Sequence, residues 1–475
     1  MISKEIFRQY DIRGVVPSQF NAETAAYISN ALGWQIKKKS GKINPTVSVG
    51  RDNRLSSNEI FGGVKRGLID AGVNVIELGV CPTPSTYFSS FMLNIDGFVM
   101  ITGSHNPPEY NGLKLGYKKN TYHSEKIFSI YKDISNNGYK DEKIKGKKSA
   151  FNIVESYIEW IVDHFQDLRQ KILKLDKKVN VVIDAGNGVA SNVAPKIFTA
   201  LGVNVIDLFC EEDGDFPNHH PDPTVKANLQ DAIEKVRESN ADFAVAYDGD
   251  ADRLGVLDEK GTIIWGDMLL LIYAKEIKKY YDKPKIIADV KASQVLFDKL
   301  HDMNIEGIMW KTGHSLIKEK LKEENAELAG EMSGHIFFAD KYFGFDDAIY
   351  SSVRFLEAYV NALEIGEIKR CSEMFSDIPA VYNTPEIRLE FPENLKFIAV
   401  DKLKDIFFQY KNDKKYNIKD IIDIDGIRVI FENGWGLLRA SNTQPEIVMR
   451  FEAINETDMN RYKNLIEGEL SKIRQ

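Results

Sequence analysis

Short β-branched apolar runs recur along this chain, each preceded by a helix-like segment, and one such passage is written twice almost letter for letter. Leu68-Ile-Asp-Ala-Gly-Val-Asn-Val-Ile-Glu-Leu78 returns as Phe198-Thr-Ala-Leu-Gly-Val-Asn-Val-Ile-Asp-Leu208. Each copy reads as a helix end, a Gly that stops it, and a strand. Upstream of each stands another strand that runs into a polar turn, Thr46-Val-Ser-Val-Gly-Arg-Asp52 in the first and Val181-Val-Ile-Asp-Ala-Gly-Asn-Gly188 in the second. The unit is therefore βαβ. A weaker third version runs from Lys285-Ile-Ile-Ala-Asp-Val290 through a helix between Ser293 and Leu300 to a strand from Ile305 to Trp310. From about residue 366 the pattern changes to a polar, Lys-rich helix and short alternating strands such as Gly426-Ile-Arg-Val-Ile-Phe431.

The economical reading is an α/β chain of three tandem similar α/β domains with mixed sheets, followed by a C-terminal α+β domain. The expected limits are 1–150, 151–253, 254–365 and 366–475. In such units ligands gather at the carboxyl ends of the strands, where loops and helix N-termini converge.

Size agrees with this division, since 475 residues exceed what one core usually organises. With 43% apolar and 28% charged residues the chain has the material for packed cores. Its 62 Lys and Arg against 70 Asp and Glu, a formal charge of −8, argue against a general nucleic-acid or anionic-membrane binder. An anionic substrate would need a local basic pocket. The segment Met1-Ile-Ser-Lys-Glu-Ile6 lacks the apolar core of a signal peptide, and the aliphatic run from Met268 to Ala274 is too short to span a bilayer. A cytoplasmic protein is expected. Cys81, Cys210 and Cys371 are odd in number and far apart, which suggests neither a disulfide framework nor a Cys-rich zinc site.

Chemistry concentrates in a few loops. The strand beginning at Asp96 ends in Thr102-Gly-Ser-His-Asn-Pro107, a turn whose Gly and Pro residues fix the backbone and present Ser104 beside His105. Ser104 suits either a nucleophile or an ordinary turn cap. A second strand ends in Asp248-Gly-Asp-Ala-Asp-Arg253, with carboxylates at alternate positions. Three hard oxygen donors this close repel one another unless a cation lies between them, and they suit Mg²⁺. The same trio opens an EF-hand, with Glu259 at position twelve, but the required Gly is Arg253 and the preceding segment is strand. Mg²⁺ readily takes phosphate oxygens, so the trio and a phosphorylated Ser104 would form one centre. Gly330-Glu-Met-Ser-Gly-His335 packs an acceptor, a hydroxyl and an imidazole into a glycine-bounded loop able to grip sugar hydroxyls. Arg439-Ala-Ser-Asn-Thr-Gln-Pro445 clusters a fixed cation with small polar donors, an anion-binding composition.

Taken in order with Phe7-Arg-Gln-Tyr-Asp-Ile-Arg-Gly14, these motifs closely resemble the signature set of the α-D-phosphohexomutase superfamily, nearly end to end. Trp310-Lys-Thr-Gly-His-Ser315 and Gly434-Trp-Gly-Leu-Leu-Arg-Ala-Ser-Asn442 look most like the bacterial phosphomannomutase/phosphoglucomutase group. The resemblance implies a heart-shaped, four-domain monomer that moves a phosphoryl group between the 1- and 6-positions of a hexose, through a phosphoserine and a hexose 1,6-bisphosphate that also serves as activator. It implies phosphoserine at Ser104; Mg²⁺ on Ser104, Asp248, Asp250 and Asp252; sugar recognition by Glu331 and Ser333; and phosphate binding by Arg439, Ser441, Asn442 and Thr443. By the same resemblance Tyr10, Arg13, His105, Lys114, Arg253, Lys291, His314 and His335 line the cleft. Lys114, His105 and His314 stay open as proton carriers, while Arg13 fits a charge stabiliser because guanidinium scarcely deprotonates.

Ala251 stands where the family commonly has a second Gly, and Gln444 where Thr is common. Mannose and glucose phosphates are the expected substrates, with glucosamine phosphate the alternative. An aspartyl-phosphate phosphatase and a non-catalytic sugar-phosphate binder are the rivals from other classes.

Overall fold

In the computed structural model, which describes residues 2–441 and 444–474, the written repeat is also a structural one. The helices Ser57–Asp70 and Ala194–Ala200 lead into the strands Asn74–Val80 and Asn204–Leu208. The amide of Val73 donates to the carbonyl of Leu68 at 2.9 Å, and that of Val203 to Phe198 at 3.1 Å. Both turns need a left-handed residue, which Gly72 and Gly202 supply with φ of +79° and +96°. The third copy closes the same way, Ile305 donating to Leu300 at 2.9 Å, with Asn304 at φ +56° in place of Gly.

Each of the first three sheets places such a strand pair in parallel and then adds an antiparallel neighbour. In the first, Thr46–Arg51 lies between Asn74–Val80 and Gly97–Ile101, and Tyr110–Tyr117 pairs antiparallel to Gly97–Ile101. In the second, Asn180–Asp184 lies between Asn204–Leu208 and Phe243–Tyr247, and Leu254–Asp258 pairs antiparallel to Phe243–Tyr247. In the third, Lys285–Asp289 lies between Glu306–Trp310 and Leu328–Gly330, with Ile336–Phe338 antiparallel to Leu328–Gly330. The sheets are thus mixed, as the sequence predicts. The second carries on past residue 253, where the sequence reading sets a boundary. The acidic loop is the turn of a hairpin, and its outgoing strand stays hydrogen-bonded to its incoming one.

The last sheet is antiparallel and includes the hairpin Gly434–Ala440 and Glu446–Ala453; the helices Lys396–Tyr410 and Glu456–Arg474 cover it. Separate apolar cores underlie the first and last domains, whereas one continuous core runs beneath the second and third sheets and takes in the buried helix Ala348–Glu364. The last domain docks on the third through Trp435 and Leu437 against Val290, and through Arg428, whose Nη1 donates to the carbonyls of Val290 and Ala292 at 2.7 Å each. Cys81, Cys210 and Cys371 are free thiols. Among the described residues no helix is long and apolar enough to cross a membrane.

Candidate active site

The equivalence of the sheets explains where the chemistry lies. The Ser104 loop, the Asp248–Arg253 loop and the Glu331–His335 loop are the same feature in three successive sheets: the turn from the last parallel strand into its antiparallel neighbour. Arg439 likewise lies near the end of a hairpin strand in the fourth, Gly434–Ala440, which pairs with Glu446–Ala453. Three like domains facing one cleft bring these turns together.

Ser104 is 3% exposed and held at φ +50°, a conformation L side chains seldom adopt. A buried arginine imposes it. Arg54 Nη2 donates to the carbonyls of Ser104 (2.7 Å) and Asn106 (2.6 Å), and its Nη1 to those of Pro107 (2.6 Å) and Tyr110 (3.1 Å). Asp52 steadies the guanidinium at Nε and accepts the Gly103 amide. The acidic loop then presses close: a Cβ on Gly249 would lie 2.7 Å from the Ser104 carbonyl oxygen, so only glycine fits. As a result the Ser104 hydroxyl donates to Asp248 Oδ2 at 3.1 Å, and its oxygen is 3.1 Å from His105 Nδ1.

The carboxylates of Asp248, Asp250 and Asp252 are buried and lie within 4.8 Å of one another. Asp248 Oδ1 accepts the amides of Asp252 and Arg253, at 3.0 and 3.1 Å. Asp250 Oδ2 accepts from Thr83 at 2.6 Å and from Lys114 Nζ at 2.7 Å, and Lys114 also holds Asp252. Burial, reinforced by Asp252 and Asp250, pushes Asp248 well above the usual carboxylate range. Burial alone would lower Lys114, but Asp250 and Asp252 raise it well above its ordinary value. Among the described residues the buried Asp250 Oδ1 has no hydrogen-bond partner. An unused anionic oxygen in a crowded acidic cluster is what a divalent cation satisfies, so the residues fit a metal. Asp252, His335 and Asp346 form a second close group. It is the poorer cage, because Glu331 engages His335 while Lys318 and His314 engage Asp346. Ala251 takes φ +62°, so this chain tolerates a left-handed alanine where its resemblance suggested glycine.

The other predicted residues surround this centre. Arg13 donates to Asn106 Oδ1 (2.6 Å) and Asp11 Oδ2 (2.5 Å), which ties it to the Ser104 loop. Burial, then Arg253 and Arg13, hold His105 well below the usual imidazole value. Arg253 Nη1 is 3.9 Å from Asp222 Oδ1. The Tyr10 hydroxyl donates to the Thr312 carbonyl at 2.9 Å, and its ring meets His314 edge-on. His314 Nδ1 lies 3.0 Å from Asp346 Oδ2; burial, with Lys318 adding to it, lowers its pKa despite Asp346.

In the third loop Glu331 Oε1 accepts the Gly313 amide at 2.6 Å, while Oε2 is 2.9 Å from His335 Nδ1. His335 Nε2 is 3.3 Å from Asp252 Oδ1, and Ser333 Oγ is 3.2 Å from His335 Nδ1. Burial opposes the charge on His335, yet Asp252 and Glu331 raise it to about 9.

Towards the fourth domain, Lys291 Nζ bonds Glu386 Oε2 at 3.1 Å. Arg439 Nε donates to Asp425 Oδ2 at 3.0 Å, and the same oxygen accepts the Thr312 amide. Ser441 is buried beside Arg439; Asn442 and Thr443 lie outside the described residues. Sequence reasoning missed Arg54, Thr83, Asp346 and Asp425. Only the polar turn Gly50-Arg-Asp52 signalled part of this supporting shell.

Against known proteins, the chain matches the phosphoglucomutase/phosphomannomutase alpha/beta/alpha domains I, II and III over residues 4–141, 155–261 and 265–382, and the C-terminal domain of the same family over 386–468. It is 42% identical over 469 residues to a phosphomannomutase/phosphoglucomutase of Pseudomonas aeruginosa, covering 98% of this chain and 96% of that one. Identity to a phosphoglucomutase of Neisseria gonorrhoeae is 38% over 471 residues, 98% of each. The crystal structure of a phosphoglucomutase/phosphomannomutase family protein from Burkholderia thailandensis superposes with a TM-score of 0.89 at 38% identity, covering 100% of this chain and 98% of that one. With all four domains matched in order, the chain belongs to the phosphoglucomutase/phosphomannomutase family of the α-D-phosphohexomutase superfamily.

Proposed function

We propose that this protein interconverts hexose 1-phosphate and hexose 6-phosphate, of mannose or glucose or both, by way of a phosphoserine at Ser104 and a hexose 1,6-bisphosphate. One observation carries the reading: two loops remote in the chain meet so that the Ser104 hydroxyl bonds Asp248 beside a three-carboxylate cluster. Asp248, Asp250 and Asp252, with the Ser104 phosphoryl, would hold Mg²⁺, which when bound offsets phosphoryl negative charge.

The residues divide the remaining work. In the forward half-reaction the O6 hydroxyl of the sugar attacks phosphorus, the P–Oγ bond of phosphoserine breaks with Oγ taking up a proton relayed from solvent through His105, and the O6 proton passes to a base. His314 suits that base: Asp346 fixes its Nδ1, and its lowered pKa keeps the ring neutral and able to accept. The bisphosphate then turns end for end. O1 gives its phosphoryl group to Ser104 Oγ, whose proton goes to His105 at 3.1 Å, also held neutral, while O1 leaves with the proton that His314 took from O6. Lys114 is too firmly protonated to be a base and acts with Arg13 and Arg253 on developing charge. Glu331 and Ser333 grip sugar hydroxyls, with Tyr10 and His335 bounding the cleft. Lys291, Arg439, Ser441, Asn442 and Thr443 receive the phosphate that does not react.

An aspartyl-phosphate mechanism is less well served. Asp250 Oδ2 is already held by Thr83 and Lys114, and both Asp248 oxygens accept hydrogen bonds. A coupled assay for glucose 6-phosphate formed from glucose 1-phosphate, with a trace of glucose 1,6-bisphosphate, tests the reading, and total absence of turnover would refute it. Running mannose and glucosamine 1-phosphates beside glucose 1-phosphate ranks the sugars; a preference for glucosamine would move the assignment to a phosphoglucosamine mutase.

A further inference from the structure

Behind the His314 side of the cleft, where the first domain meets the third, lies a cavity of about 280 Å³ that none of the proposed catalytic or metal residues lines. Its walls are aromatic, with Phe91, Phe343 and Phe345 among them. Four lysines converge on it: Lys119 and Lys126 from the first domain, Lys318 and Lys322 from the third. Lys119 Nζ sits 4.4 Å over the Phe91 ring, and Lys318 Nζ 4.5 Å over that of Tyr87. Lys322 Nζ reaches across the domain junction, donating to the Lys119 carbonyl at 3.3 Å and to Asn120 Oδ1 at 2.7 Å.

Counter-charge is short. Among the described residues, Lys119, Lys126 and Lys322 make no salt bridge, and of the acidic residues at the rim Glu319 is turned to His123 and Glu323 to Lys320. Burial and then the like charges of Lys318, Lys119 and Lys126 depress the pKa of Lys322. Ser315, 1% exposed, adds a hydroxyl that among the described residues has no hydrogen-bond partner. Several ammonium groups held near one another, against ring faces and around space for a small ligand, are what a phosphate on a flat apolar body would satisfy. Lys318, buried in the cavity wall, donates at 2.9 Å to Asp346, the carboxylate that fixes His314. The cavity is therefore one side chain removed from the proposed base.

We propose that this cavity is a second anion site, taking a small phosphomonoester with a flat ring, and that its occupation alters turnover by drawing Lys318 from Asp346. The turnover half rests on the hexose-phosphate reading; the binding half does not. The test uses the full chain, with the cleft saturated by glucose 6-phosphate, titrated calorimetrically with phenyl phosphate and with adenosine 5′-monophosphate. The comparison is the double variant Lys126→Ala/Lys322→Ala, both positions being exposed and outside the catalytic machinery.

At least one probe should bind one per chain, and the double variant, with unchanged basal turnover, should bind it about tenfold or more weakly, as loss of two charged phosphate contacts requires. The bound probe should change kcat at saturating glucose 1-phosphate in the parent protein and leave the variant unaffected. Binding by neither probe, equal affinity in the variant, or a bound probe with kcat unchanged would overturn the proposal. An enzyme inactive before any probe is added would count against the mutase reading instead, and the binding measurement would still decide whether the site exists.

Discussion

Replacing Lys114 by Met probes the acidic cluster from the opposite direction to adding metal. The ammonium group belongs to a residue 5% exposed and bonds Asp250 Oδ2 at 2.7 Å while also holding Asp252. At that distance a unit charge pair is worth about 6 kcal/mol at an effective dielectric of 20. Desolvation opposes much of this, and loss of one partner from a buried pair typically costs about 3–5 kcal/mol. Methionine keeps most of the apolar stem and removes the charge together with its hydrogen-bond donors. The unfolding transition of the metal-stripped Lys114→Met protein should therefore fall by several degrees, read from the first transition because the chain has several domains. Mg²⁺ should then reverse more of the loss in the variant than it adds to the parent. Two unscreened carboxylates bind a cation more tightly, and a metal at about 100 times its Kd adds about 2.7 kcal/mol. Calorimetric scans of both proteins in chelator and in millimolar MgCl₂ supply the four numbers. Equal Mg²⁺-induced shifts in the two proteins would refute the claim that ammonium and metal serve the same carboxylates.

Two further substitutions test the supporting shell and the sugar loop. Arg54→Lys keeps the charge but loses the planar fork that spans the carbonyls of Ser104, Asn106, Pro107 and Tyr110; kcat should drop on the order of 100-fold with KM little changed, and a parental kcat would show that the Ser104 loop is positioned by other contacts. Glu331 would be raised by burial, but His335, Lys291 and the Gly313 amide hold it at about 2. A depressed carboxyl contributes its stability above the unfolded value of 4.5 and loses it as pH falls through about 2. The melting difference between parent and Glu331→Gln should thus be full near neutrality and shrink steadily below about pH 4.5; a pH-independent difference would contradict the assignment.

Much of the fold was legible because the repeat is local. A helix stop, a left-handed residue and a β-branched strand are encoded within eleven consecutive residues, and the structure closes all three copies with the same amide-to-carbonyl bond. The chemical loops were legible for a related reason, since each concentrates its donors in a few residues at the end of an apolar strand. What the sequence hid is what long-range packing decides. Arg54 and Asp52 look like an ordinary polar turn until the Ser104 loop folds over them. Asp346 gains meaning only when His314 and Lys318, some thirty residues earlier, arrive on either side of it. The limit drawn at residue 253 cuts a hairpin whose two strands stay paired across the acidic motif, a pairing that only the fold displays.

The reading depends throughout on phosphate carried by Ser104. The most direct measurement is to incubate the enzyme with glucose 1,6-bisphosphate labelled in its phosphates, quench in acid, and locate the label by peptide mass spectrometry before and after a chase with glucose 1-phosphate. An acid-stable phosphate on Ser104 that moves to sugar during the chase is the expected result. A hydroxylamine-labile phosphate on Asp248 or Asp250, or a label on Ser104 that the sugar cannot remove, would contradict it.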